Sequence, residues 1–165
     1  MHDPEEALLR LLEGLDRLDM PYMVGGTAAS SVHGVWRATN DIDSVVLLTS
    51  ERIDDFIEEF AADFYVDKDQ ILQARRFRRA FNIIHLTSAY KFDIFPLTDD
   101  RFQRQQFARR RYEDAAVFGG QSIEIAVATP EDVILSKLVG TRRAAKCRIS
   151  SGTIFLEWLR CNSNR

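Results

Sequence analysis

At 165 residues, with 45% apolar and 28% charged content, the chain has the composition of one globular domain large enough to bury a core. A formal net charge of −3 argues against holding nucleic acid through overall charge, and the only cysteines, Cys147 and Cys161, give neither a disulfide framework nor a zinc spacing. No apolar run approaches a membrane span and the opening MHDPEEALLRLLEGL is acidic where a signal peptide is basic, so a cytoplasmic protein is expected.

Residues 4–18 begin Pro4-Glu5-Glu6 and place leucines at 8, 11, 12, 15 and 18, which predicts an amphipathic helix with acids at its positive end. Tyr22-Met23-Val24 is a short apolar strand stopped by Gly25-Gly26. Residues 27–33 are small and helix-compatible, and Gly34 can end that helix. Residues 42–48 read as a β-branched strand. Ser50 is expected to cap a helix whose Ile53, Phe56, Ile57 and Phe60 share a face. A weaker helix covers 67–74.

FNIIHL and YKFDIF then read as two strands joined by Thr87-Ser88-Ala89, a hairpin. A polar helix is expected from about Asp99 to Arg111, and AAVFGGQSIEIAV reads as strand, Gly-Gly turn, strand. Thr129-Pro130-Glu131-Asp132 is a helix start: a cap, a proline in the first turn, then two acids. This order of elements predicts an α+β fold, a mixed sheet with helices packed mainly on one face.

Two aspartates flanking one isoleucine at the head of a strand are unusual, because neighbouring carboxylates repel unless a cation sits between them. Residues two apart in a strand share a face. Asp41 and Asp43 would therefore point together while Ile42 enters the core. In YKFDIF the same alternation buries Phe92 and Ile94 and sends Asp93 the other way. If the two strands are neighbours, three carboxylates converge. That donor set suits Mg²⁺, with Mn²⁺ the alternative, and a pair of such ions can activate a hydroxyl and stabilise a departing pyrophosphate. Gly25-Gly26 lets backbone approach a ligand, and Thr27 adds a hydroxyl at the start of a helix, where phosphates bind. Alone, Asp-x-Asp and Gly-Gly are common turns; their order, their separation and the third aspartate set them apart.

These residues resemble the nucleotidyltransferase superfamily that shares its palm with DNA polymerase β: apolar strand, Gly-Gly, a gap, Asp-x-Asp, and a later strand-borne aspartate. More narrowly, GGTAASSVHGVWRATNDIDSVV, KFDIF and ATPEDVILSKL resemble the small bacterial AbiEii-type toxin nucleotidyltransferases, over about residues 22–138. The resemblance implies a fold like the polymerase-β palm and transfer of a nucleoside monophosphate from a nucleoside triphosphate to an acceptor hydroxyl. It implies that Asp41 and Asp43 bind both metals, and that Asp93 binds the catalytic one and helps deprotonate the acceptor. Lys137 matches a lysine that reaches nucleotide phosphates; a solvated helix lysine is the equal alternative.

The remaining charged residues read more plainly. Arg37 pairs with the acids or contacts phosphate. The arginines at 75, 76, 78 and 79 guide an acceptor nucleic acid or solvate a loop, and Arg109 and Arg110 form a helix-terminal basic face, with a phosphate contact the second reading. His33 and His85 read as packing residues with one hydrogen bond each.

The resemblance ends after Leu138. One admissible codon choice from Lys146 onward, read in the neighbouring frame, spells a Trp-containing charged segment like the helix that relatives carry there. The expected organisation is a nucleotidyltransferase domain at 1–138 and an atypical, frameshifted tail at 139–165, a matter for the gene's nucleotide sequence. The toxin resemblance favours RNA or protein as acceptor and a cognate partner protein in a toxin–antitoxin setting. The alternative is a non-catalytic nucleotide-sensing or partner-binding module on the same fold.

Overall fold

The computed structural model describes residues 4–33, 41–115 and 122–148, with the side chains of 4, 31, 41 and 140–148 left aside. Along the chain run α1 (Pro4–Arg17), β1 (Tyr22–Val24), α2 (Gly26–Val32), β2 (Asp41–Val46), α3 (Ile53–Phe60), β3 (Phe64–Tyr65) and α4 (Lys68–Phe77). The hairpin β4 (Phe81–His85) and β5 (Lys91–Pro96) follows, then α5 (Arg101–Arg109), β6 (Arg111–Ala115), β7 (Ile123–Val127) and α6 (Pro130–Arg148). The described strands form one sheet in the order β3-β4-β5-β2-β1-β7-β6. The β2–β5 and β1–β7 pairs are parallel and the other pairs antiparallel.

One face of this sheet is the core. Phe81 and Ile83 of β4, Phe92 and Ile94 of β5, and Ile42 and Val46 of β2 are buried there by strict alternation. Leu8, Leu11, Leu12 and Leu15 of α1 and the Ile53/Phe56/Phe60 stripe of α3 are buried as well, together with Ile71 and Ala74 of α4. Aromatic rings form a chain of contacts through this layer. Phe56 meets Phe60 at 4.7 Å between centroids and Phe81 edge-on at 5.9 Å, and Phe64 links Phe60 to Phe92 at 5.6 and 6.1 Å. The opposite face, carrying Asp43, Val45, Asp93 and Phe95, is only half-buried. The fold is α+β, with helices packed mainly on one face.

Several boundaries depart from the sequence reading. Ser50 does not cap α3: residues 50–52 form a 3₁₀ turn ahead of it, without a side-chain cap bond. The strand predicted at 42–48 ends at Val46, because the chain turns there, Leu48 N–H donating to Val46 O at 2.9 Å. Helix α4 runs on to Phe77 and stops where Arg78 turns left-handed at φ 52°. Arg111 belongs to β6 rather than to the polar helix, which Asp100 caps by accepting from Gln103 N–H at 3.0 Å. Gly34, Arg37, the Gly119-Gly120 turn and residues 149–165 lie outside the described residues. Helix α6 runs through position 138 to Arg148.

Two ion-pair clasps lock helices in place. Arg10 of α1 donates to Asp63 Oδ2 at 2.5 Å, to Glu59 Oε1 at 2.9 Å and to Glu59 O at 2.8 Å, and Arg17 shares Oε1 at 2.6 Å. Hydrogen bonding from Arg17, then from Arg10, holds the Glu59 carboxyl below its ordinary value. On the far side, Arg109 forks onto Asp132 at 2.7 and 3.1 Å, tying α5 to the first turn of α6. Arg109, the last residue of α5 and exposed at the helix end, thus also ties two helices together. Arg110 caps the carbonyl of Phe107 at 2.7 Å, its guanidinium 4.3 Å from that ring's centroid.

Asp132 is 1% exposed, and the Arg109 guanidinium holds its carboxyl below the usual 3.8. A carboxyl depressed on folding contributes stability above its unfolded pKa and loses it as pH falls through the folded one. The melting midpoint should therefore drop as pH is lowered from about 4.5 through the acid range. Asp132→Asn should melt lower than wild type at pH 7 and show a shallower acid limb, read by thermal unfolding between pH 2 and 7.

Gly14, inside α1, gives a second test. Its missing Cβ makes room for the Phe60 ring, and Arg10 Nη1 would lie 2.9 Å from an added methyl. Helix propensity alone favours Gly14→Ala by about 1 kcal/mol. Overpacking against a fully buried ring costs roughly 1–3 kcal/mol, so the variant should be less stable by about 1 kcal/mol in urea unfolding.

Candidate active site

The parallel register of β2 and β5 sets Asp43 directly across from Asp93 and Asp41 across from Lys91. Adjacent strands lie about 4.8 Å apart and paired residues share a face, so the Asp43 and Asp93 side chains stand side by side on the half-buried face. On the other flank β4 pairs Asn82, which is exposed, with Asp93. Beyond β2, Gly25 N–H donates to Asp43 O at 2.9 Å. One row thus crosses the sheet: Gly25, Asp43, Asp93, Asn82.

The glycine turn closes over Asp43. Gly25 is extended, and Gly26 opens α2 with φ +58°, a left-handed conformation that side chains rarely adopt. A Cβ at Gly26 would fall inside the Asp43 carboxylate, its γ-carbon lying 2.9 Å away. The residue is fixed as glycine twice over, by its backbone and by the acid against it. Thr27, next in line, is exposed at the start of α2.

Lys137 comes to the same turn from α6. Its Nζ donates to Ser30 Oγ at 3.0 Å, and Ser30 Oγ donates to Gly26 O at 3.0 Å. Helix α6 is aimed there by the Arg109 clasp and by Gln106, which donates to Asp132 O at 3.1 Å and Ser136 Oγ at 2.8 Å. His33 and His85 are packing residues: a His33 ring nitrogen lies 2.8 Å from Ala128 O and His85 Nδ1 lies 2.9 Å from Ser88 Oγ.

Asp93 is half-buried, and one of its oxygens, Oδ1, is sealed from solvent without a hydrogen bond. The ammonium of Lys91 lies 3.1 Å from that oxygen and donates to Oδ2 at 3.2 Å. Lys91 and Asn82 escaped the sequence reading. For Lys91 the signal was there, because it stands two residues before Asp93 in YKFDIF and so shares its face. Asn82 becomes visible only through the β4–β5 register.

Among the described residues no group of three or more His, Cys, Asp or Glu side chains is placed to hold a metal ion. The two acids in register nonetheless fit Mg²⁺ or Mn²⁺. They are hard oxygen donors on one face, one oxygen is buried and lacks a hydrogen bond, and Mg²⁺ is commonly held by one or two carboxylates with substrate phosphates completing its shell. Asp41 sits two positions before Asp43 on the same strand, its side chain outside the description.

No protein-family model matches this sequence, and no curated protein matches it. Solved structures do resemble it. A candidate nucleotidyltransferase from Thermotoga maritima superposes with a TM-score of 0.50 at 16% identity, over 96% of this chain and 96% of that one. An antigenic nucleotidyltransferase-like protein from Paracoccidioides brasiliensis gives 0.51 at 17% identity, over 95% of this chain and 72% of the other. ANT(2″)-Ia in complex with adenylyl-2″-tobramycin gives 0.51 at 16% identity, over 95% and 86%. Identities this low speak to the fold alone, and the fold is that of the polymerase-β-like nucleotidyltransferases.

Proposed function

We propose that the chain transfers a nucleoside monophosphate from a nucleoside triphosphate to an acceptor hydroxyl, using Mg²⁺ or Mn²⁺. The observation that carries this reading is the pairing of Asp43 with Asp93 against the Gly25-Gly26 turn. Asp41, Asp43 and Asp93 would hold the metal. A divalent ion bound there supplies charge neutralisation at the reacting phosphate and lowers the pKa of the attacking hydroxyl.

The chain's own residues do the rest. Asp93 accepts the proton of the hydroxyl. The hydroxyl oxygen bonds to the α-phosphorus as the bond to the β-phosphate oxygen breaks, and pyrophosphate leaves with that electron pair. Gly25, Gly26 and Thr27 form the phosphate end, and Lys137 adds positive charge there.

RNA is the acceptor favoured here, with a protein hydroxyl next. Support comes from α4 and its exit, where the guanidinium groups of Arg76 and Arg79 lie 5.4 and 5.8 Å from the centroid of Phe77. Arginine interleaved with an aromatic ring suits a phosphate backbone and stacked bases. The likeness to ANT(2″)-Ia with its adenylylated tobramycin makes a small-molecule hydroxyl the third acceptor to test. The AbiEii-type resemblance extends the proposal to a toxin–antitoxin pair with a cognate partner protein. Among the described residues no helix is long and apolar enough to cross a membrane.

Incubation with each α-labelled triphosphate, Mg²⁺ and cell RNA, protein or small hydroxyl compounds should yield a labelled acceptor. Asp43→Asn and Asp93→Asn should each lose far more than the roughly 10–100-fold typical of removing a metal's outer partners. Binding of triphosphate and metal with no transfer to any acceptor would replace this reading with the nucleotide-sensing or partner-binding module.

A second measurement addresses the acceptor. The double variant Arg76→Gln/Arg79→Gln should raise KM for an RNA acceptor and flatten its salt dependence, while melting and metal response stay as in wild type. An unchanged KM would return these arginines to a solvated loop.

A further inference from the structure

A cation already stands on the acidic face of the sheet: the ammonium of Lys91, within 3.1 and 3.2 Å of the two Asp93 oxygens. Those are the atoms that a metal held by Asp93 would need. Metal–oxygen distances for Mg²⁺ are about 2.0–2.1 Å, so an ammonium and a metal cannot both occupy the space in front of one carboxylate. Lys91 is also the strand partner of Asp41. It therefore stands opposite one expected metal ligand on β2 and two positions before the one on its own strand, β5.

We propose that Lys91 is the resident counter-cation of this acidic face, displaced when a divalent ion enters, so that the metal loads together with the triphosphate rather than ahead of it. This rests on the metal-dependent reading above. Lysine suits the part because its flexible four-carbon stem carries a compact charge that can swing away, where a guanidinium fork would hold the carboxylate bidentately. Its side chain is 39% exposed, so departure is not blocked by packing. A triphosphate brings several anionic oxygens to which a displaced ammonium can move. Metal and nucleotide then favour each other's binding, and the coupling runs through Lys91. Lys91 acts through Asp93 and is a positioning residue.

The test is Mn²⁺ binding to the full chain, followed by electron paramagnetic resonance, with and without a non-hydrolysable triphosphate analogue. Lys91→Met should bind Mn²⁺ alone several-fold more tightly than wild type, and the analogue should tighten Mn²⁺ binding less in the variant. Lys91→Arg, which keeps the charge, should bind Mn²⁺ no more tightly than wild type. Without metal, Lys91→Met should melt below wild type because two adjacent carboxylates lose their counter-charge; Lys91→Gln gives the same comparison should the methionine variant fold poorly. Equal or weaker Mn²⁺ binding in Lys91→Met, with binding still lost in Asp93→Asn, would overturn this inference and leave the metal reading standing. An arginine variant that binds as tightly as the methionine one would overturn it too. No Mn²⁺ binding by any of these proteins would overturn both.

Discussion

Two carboxylates held side by side on neighbouring parallel strands repel, and the rest of this structure is arranged around that repulsion. Like charges directly opposite in a sheet are destabilising, and aspartate is a poor strand residue. The Asp43–Asp93 pair nevertheless lies on β5 and β2, two of the central strands of the sheet. What holds those strands in register is on their other face, where Ile42, Phe92 and Ile94 are fully buried. The period of two that sends those side chains into the core sends the acids out together. Core and acidic face are thus one pattern read on opposite sides of the sheet, and the acids cannot be separated without turning a buried ring toward water.

The second element fitted to that pair is the turn after β1. Helix starts ordinarily place an extended residue before the first turn, with serine, threonine, aspartate or asparagine as cap. Here Gly25 takes the extended position without a side-chain cap, and Gly26 enters the helix left-handed. The other positive-φ residues among those described, Asp19, Arg78 and Ala89, lie just past a helix or inside the hairpin turn, where such a conformation reverses the chain. At Gly26 it brings backbone onto a carboxylate. Locally unfavourable choices are thereby gathered at one spot of the sheet, the pattern that motivates the functional proposal.

Much of this was legible in the sequence because it rests on short periods. Alternation in DIDSVV and KFDIF placed the acids on one side, and the leucine spacing of α1 and the Thr-Pro-Glu-Asp start of α6 were read from local chemistry. Pairing across the sequence was not legible. That β2 meets β5 in parallel with Asp43 opposite Asp93, and that Asn82 joins the row, depends on register set by packing of distant residues. The second role of Arg109 was hidden for the same reason: its buried partner Asp132 is 23 positions away, so only the helix-end charge could be read. Ser50 failed as a cap because a 3₁₀ turn intervened, a choice made by how α3 docks rather than by the residue.

Lys91 changes what the acidic strands mean. A carboxylate pair with no cation beside it costs stability through like-charge repulsion. With an ammonium on Asp93, the chain supplies part of its own neutralisation. If a divalent ion binds there as proposed, the same contact would lower the affinity of the acidic face for free metal, since an entering ion would first have to displace a bound positive charge. Such a face would favour an ion that arrives with phosphates over a bare one, because the phosphates offer the displaced lysine further anions. The repulsion between the two acids would then pass from one cation to another.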